Sequence, residues 1–194
     1  MIHSSKIILV GASAGGPGII EKLLTALPET FTTPICIVQH FPADLTHSFV
    51  SRLQMYTTSH VVESYDGLSV DKRMIIVAKG GVHLGFRSKN NNIMIAEELE
   101  GIRSDFIPSI DAMMINALEV YEASAILAIL LSGIGDDGVD GMVKIKMSGG
   151  MSICQDEKSS PVFGMPGRAI ERGGVSMILS VEEIAKFMIQ FDLI

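Results

Sequence analysis

Seven consecutive apolar residues, Ala125 to Leu131 (AILAILL), leave no polar face for water. The run is far short of the roughly 20 residues a bilayer-spanning helix requires. It reads instead as a strand covered on both faces, the position of a central strand in a parallel sheet. Parallel strands must be joined by crossovers, usually helical, so such a strand commits the chain to alternating strands and helices.

The remaining sequence follows that alternation. Residues 6–10 (KIILV) form a first apolar run, followed by a helical stretch over 16–27 that Pro28 ends. A second strand is predicted over 34–39, then a helix over 43–56 with Leu45, Phe49, Leu53 and Tyr56 at helical spacing. Short strands are expected at 60–63 and 74–77. Two more, at 82–86 and 92–96, flank the polar turn RSKNN and read as a hairpin. Ser109 caps a helix beginning at Ile110, with Asp111 in its first turn. After the buried run come a helix at 138–147, a strand at 151–154, a helix at 167–172, a strand at 176–179 and a last helix at 181–191. The expected fold is α/β: a doubly wound, mainly parallel sheet with helices on both faces and a β-hairpin at one edge. No repeat, linker or low-complexity stretch divides the chain, so residues 1–194 read as one domain.

Composition excludes several classes of function. A net charge of −7, with no basic cluster denser than Lys144-Ile145-Lys146, argues against nucleic acid as the main partner. No basic-then-apolar leader opens the sequence, and no run is long enough for membrane insertion, so the expected location is the cytoplasm. Cys36 and Cys154 lie in apolar segments and read as reduced core thiols. No Cys/His spacing suggests a metal, and no cofactor is expected. The twelve methionines fall mostly in apolar periodic segments and read as core packing.

In open α/β sheets, ligands bind beyond the carboxyl ends of the strands. The residues just past the strands are therefore the informative ones. Strand one is followed by Gly11-Ala12-Ser13-Ala14-Gly15, strand two by His40, and the buried strand by Ser132-Gly133-Ile134-Gly135-Asp136-Asp137-Gly138. A dinucleotide site would need glycine where Ser13 stands and an acid near the end of strand two, where His40 stands. A P-loop would need a Gly-Lys-Ser/Thr ending, which is absent. Gly11-x-Ser13-x-Gly15 does match a strand-to-helix turn that presents a serine nucleophile. A serine hydroxyl needs a base, and the base needs an orienting group. His40 can take the proton, and an aspartate of the Asp136-Asp137 pair can fix the histidine tautomer. The blander readings are a helix cap for Ser13, a helix-entry position for His40 and a helix cap for either aspartate. His3, His47, His60 and His83 read as surface residues. Backbone N–H groups at the helix start after Ser13 and in the loop Gly133–Asp136 can face an oxyanion. Arg103 and Met165 are candidates for lining the site.

Six ordered stretches, IILVGASAGGPGIIEKLL, IVQHFPADLTHSFVSRL, AKGGVHLGF, PSIDAMM, LLSGIGDDGVDGM and QDEKSSPVFGMPGRAIERGGV, together resemble the catalytic domain of the CheB-type chemotaxis receptor methylesterases. The resemblance implies a Ser-His-Asp triad on Ser13, His40 and Asp137, the last being the aspartate directly before Gly138. It implies hydrolysis of glutamate γ-methyl esters on the cytoplasmic helices of methylated chemoreceptors, and deamidation of certain receptor glutamines. The family usually carries an N-terminal receiver domain, whereas the first strand here begins near Lys6; the expectations this leaves open are constitutive activity, regulation by a separate response regulator, or an isolated domain of a longer protein. Three positions depart from the family pattern: Ile134 where methionine is expected, Lys79 where proline is common, and a missing second arginine before Pro108.

Overall fold

The computed structural model describes residues 2–90, 92–96, 99 and 104–194. Its elements run β1 (Ile7–Ala12), α1 (Gly16–Ala26), β2 (Ile35–Gln39), α2 (Thr46–Leu53), β3 (His60–Glu63), β4 (Met74–Val77), β5 (Gly85–Lys89), β6 (Asn92–Ala96), α3 (Ile110–Val120), β7 (Ile126–Leu130), α4 (Val139–Met147), β8 (Met151–Gln155), α5 (Gly164–Glu171), β9 (Met177–Leu179) and α6 (Val181–Leu193). Seven strands form one sheet in the order β3-β4-β2-β1-β7-β8-β9, and every pairing is parallel.

The apolar run after Ser124 becomes β7, at the centre of this sheet beside β1. Its side chains divide by the two-residue period of a strand. Ile126, Ala128 and Leu130 pack with α3, α4, α5 and the hairpin, while Leu127, Ile129 and Leu131 pack with α1, α2 and α6. Each such side chain removed from water contributes roughly 1.5–3 kcal/mol, so both faces must be covered. Cys36 and Cys154 are buried and free, one on β2 and one on β8.

The winding direction changes at β1. The chain leaves β1 through α1 on one face and leaves β7 through α4 on the other. The loops after these neighbouring strands therefore splay apart and open a crevice at their carboxyl ends, where β2 also terminates.

Several boundaries differ from the expectations, each for a physical reason. The hairpin pairs Gly85–Lys89 with Asn92–Ala96 as a separate two-stranded sheet, with no ladder to the main sheet among the described residues. It is held on α3 by the Phe86 N–H, which donates to Asn116 Oδ1 at 2.5 Å, and by Phe86 set edge-on to Tyr121. The helix expected over 43–56 is an α-helix only from Thr46 to Leu53, with a 3₁₀ turn at each end. Helix α5 begins at Gly164, three residues early, because Pro166 falls in the first turn, where no N–H is needed. Among the described residues no helix is long and apolar enough to cross a membrane.

Candidate active site

Ser13 is the first residue past β1, and its backbone N–H donates to the Ser132 carbonyl at 3.0 Å. The turn into α1 closes with the Gly16 N–H on the Ser13 carbonyl at 2.9 Å. Gly15 takes the left-handed conformation, φ 82°, and a Cβ there would lie 2.9 Å from Pro161, so only glycine fits. Ser13 itself lies outside the left-handed region; among the described residues only Arg73 and Asn90 are non-glycines with positive φ. The left-handed step of the turn thus falls on Gly15, and Ser13 is presented from the end of β1. Two buried side chains brace the turn. Gln39 Nε2 donates to the Ser13 carbonyl at 2.9 Å, and Ser132 Oγ donates to the Ala14 carbonyl at 2.7 Å.

His40 follows β2. The last paired residues of β1 and β2 are Ala12 and Gln39, and the His40 N–H donates to the Ala12 carbonyl at 3.0 Å. Ser13 and His40 are therefore side by side on neighbouring strands, whose spacing is about 4.8 Å. His40 Nε2 sits 2.8 Å from Asp137 Oδ2. Its Nδ1 is buried without a hydrogen-bond partner among the described residues, so it is not bonded to the Ser13 hydroxyl. Phe106 stacks on the imidazole, ring centroids 4.5 Å apart and planes 3° from parallel.

Asp137 is 4% exposed, and its carboxylate is seated on the N-terminus of α3. The N–H groups of Ile110 and Asp111 donate to it at 2.7 and 3.0 Å, and Ser109 Oγ at 2.8 Å. Burial by itself would push this carboxyl up. The bonds from His40, Asp111, Ile110 and Ser109 outweigh burial and hold it below the ordinary carboxylate range. An ionised Asp137 with its remaining lone pairs occupied fixes the orientation of Nε2–H and leaves the lone pair of His40 on Nδ1. This pair can act as a base once a hydroxyl is brought to Nδ1.

A model of the CheB methylesterase family matches residues 8–188. The chain belongs to the CheB methylesterase family. Relatives named protein-glutamate methylesterase/protein-glutamine glutaminase include one from Carboxydothermus hydrogenoformans, 38% identical over 187 residues, covering 95% of this chain and 53% of the relative. Another, from Thermotoga maritima, is 33% identical over 96% of this chain and 54% of its own length. The chain thus spans about half the length of these curated relatives. The crystal structure of the Thermotoga maritima CheB methylesterase catalytic domain superposes with a TM-score of 0.89 at 33% identity, covering 97% of this chain and 99% of that one.

Within this CheB fold, the sequence-selected residues are placed unequally. Ser13, His40 and Asp137 meet on one rim. Asp136 is exposed and pairs with Arg168 at 3.2 Å, away from the imidazole. The N–H groups of Ser13 and Gly133 are consumed by Ser132 and Val162, whereas those of Ala14 and Ile134 have no acceptor among the described residues. The Ile134 side chain is 67% exposed. Met165 is fully buried, its N–H on the Gly133 carbonyl at 2.9 Å, so it shapes the loop from beneath rather than lining the site. Arg103 lies outside the described residues.

Four contributors were missed in sequence. Phe106 carried no pattern. Ser109 reads in sequence only as a helix cap, which it is (Ala112 N–H to Oγ, 3.2 Å), but it also serves the carboxylate. Gln39 was read as strand. His83, expected at the surface, is half-buried; its Nδ1 accepts the Ser109 N–H at 3.3 Å, and burial pushes its pKa down, with the Asp137 charge opposing. It lines a cavity of about 530 Å³ with Phe106, Ile107, Asp111 and Asp137 among its walls. Among the described residues no group of His, Cys, Asp and Glu could hold a metal ion.

Proposed function

We propose that residues 1–194 form one catalytic domain that hydrolyses glutamate γ-methyl esters on methylated chemoreceptor cytoplasmic helices, with Ser13 as nucleophile, His40 as base and Asp137 as its orienting group. The observation that carries this reading is the His40–Asp137 pair at 2.8 Å, its carboxylate buried, one strand spacing from Ser13. The names of the relatives support the chemistry and the substrate class.

In the reaction, rotation of the Ser13 side chain brings Oγ–H to Nδ1 of His40. The proton passes to Nδ1 as Oγ bonds the ester carbonyl carbon and the carbonyl electrons move onto oxygen. The free N–H groups of Ala14 and Ile134 face that oxyanion, and such a donor is commonly worth about 3 kcal/mol. Asp137 stays ionised and stabilises the imidazolium. The tetrahedral centre collapses, Nδ1–H protonates the leaving methoxide, and methanol departs. Water deprotonated by Nδ1 then cleaves the acyl-serine, giving glutamate and regenerating Ser13. With a glutamine substrate the same steps release ammonia. The triad uses Nδ1 as its base because Asp137 holds the opposite ring nitrogen. On this reading the receptor substrate puts the protein in the cytoplasm.

The test is methanol release from carboxyl-methylated chemoreceptor membranes, with labelling by a serine-directed fluorophosphonate in parallel. Wild type releases methanol and is labelled, whereas Ser13→Ala folds normally and loses turnover by about 10⁴-fold or more. Wild-type turnover in a folded Ser13→Ala protein would sink the triad. Labelling without methanol release would leave the triad standing and point to a different methylated protein as substrate.

A further inference from the structure

We propose, resting on the triad reading above, that Phe106 is a positioning residue for His40, holding the imidazole plane and steadying the ring when it becomes a cation. Among the described residues the His40 ring is tied by one hydrogen bond, Nε2 to Asp137. Its χ2 torsion is of the broad, roughly two-fold kind, so a single bond at one edge leaves the plane free to tilt. Among the described residues Nδ1 has no partner to stop that tilt. The Phe106 ring supplies the missing constraint, lying 4.5 Å away and within 3° of parallel over one whole face.

Phe106 is itself placed by the chain around it. Its N–H donates to Ser104 Oγ at 3.1 Å. Its Cζ lies 3.5 Å from the position of a Cβ on Gly135, so the loop carrying Asp137 backs the ring. Three residues later the same segment enters α3 and delivers Ser109, Ile110 and Asp111 to the Asp137 carboxylate. One short stretch therefore sets both the face of the imidazole and the group at its edge. When Nδ1 takes the serine proton, the ring becomes a cation over an aromatic face, an attraction that grows with the charge. The benefit is larger in the transition state than in the resting enzyme, so it appears in kcat.

Leucine at this position keeps an apolar cover but has no flat π-face, whereas tyrosine keeps the face. The experiment compares wild type, Phe106→Leu, Phe106→Tyr and Ser13→Ala. It reads methyl-ester turnover, the rate of fluorophosphonate labelling, and the NMR shifts of the His40 ring protons. Phe106→Leu is expected to lower kcat and labelling rate about tenfold with KM little changed. Its His40 ring protons should move downfield as the phenyl ring current is lost, and Phe106→Tyr should restore all three readouts. Wild-type kcat and labelling in Phe106→Leu would overturn the proposal while the triad stands, as would a loss confined to KM or one that tyrosine fails to restore. A wild type that is neither labelled nor active would overturn the triad reading and this proposal with it.

Discussion

Ser109 shows how much a single side chain can carry. It is 1% exposed, accepts the Ala112 N–H as the cap of α3, and donates its hydroxyl to Asp137. The two roles separate by substitution. Ser109→Ala removes both and should lower stability by about 1–2 kcal/mol, the usual cost of losing a cap and a bond to a buried acceptor. Ser109→Gly keeps most of the capping preference and loses only the bond to Asp137, so its stability loss should be smaller than alanine's by the share of the cap, about 0.5–1 kcal/mol. Both variants leave Asp137 short of a donor and should lose turnover to the same extent. Denaturant melts beside kcat measurements check this; activity that tracks stability across the two variants would reduce Ser109 to a cap.

At the scale of elements, the loop after β7 is held against the turn after β1 by the lack of a side chain at Gly133. A Cβ there would lie 2.2 Å from Met165 Sδ and 2.8 Å from Ser13 Cβ. Gly133→Ala should cost about 1–3 kcal/mol as an overpacked contact. It should lower turnover by more than that loss implies, because the displaced loop carries Ile134 and Asp137. Gly18→Ala in α1 is the comparison: nothing lies within 4 Å of its Cβ, so the helix should gain slightly and activity should hold. Thermal melts and turnover of the two variants test this, and an active Gly133→Ala would show that the loop has slack.

For the molecule as a whole, pH acts through carboxylates of opposite sign. Burial pushes Asp111 up from 3.8 to about 6, although the Gly141 N–H, donating to Oδ1 at 2.7 Å, opposes it. A raised carboxyl binds its proton more tightly folded than unfolded. Its contribution to stability is therefore present below about pH 4 and is lost as pH rises through about 6. Asp137, lowered despite its burial, runs the other way, and its contribution is lost as pH falls. Asp111→Asn keeps an oxygen for the Gly141 N–H but does not titrate. The difference in Tm between wild type and Asp111→Asn should thus shift in favour of the variant between pH 4.5 and pH 7. Parallel Tm curves for the two proteins would refute this.

The sequence by itself determined the strand–helix alternation, the central place of 125–131, and the rim on which Ser13, His40 and the Asp136-Asp137 pair stand. Those features are local: hydrophobic period, glycine at turns and residue type just past a strand are all written in consecutive residues. The resemblance of six stretches then selected Asp137 over Asp136, and the carboxylate within hydrogen-bond reach of His40 is that of Asp137. Only the tertiary structure decided which ring nitrogen meets the carboxylate, that Ser109 and the α3 N-terminus seat it, that Phe106 covers the imidazole, and that Met165 lies beneath the loop. Those contacts join residues 26 to 97 positions apart in the chain, and no local pattern encodes a side-chain direction across such a gap. The hairpin's separate placement has the same origin, since its docking depends on Asn116, 30 residues from its partner Phe86.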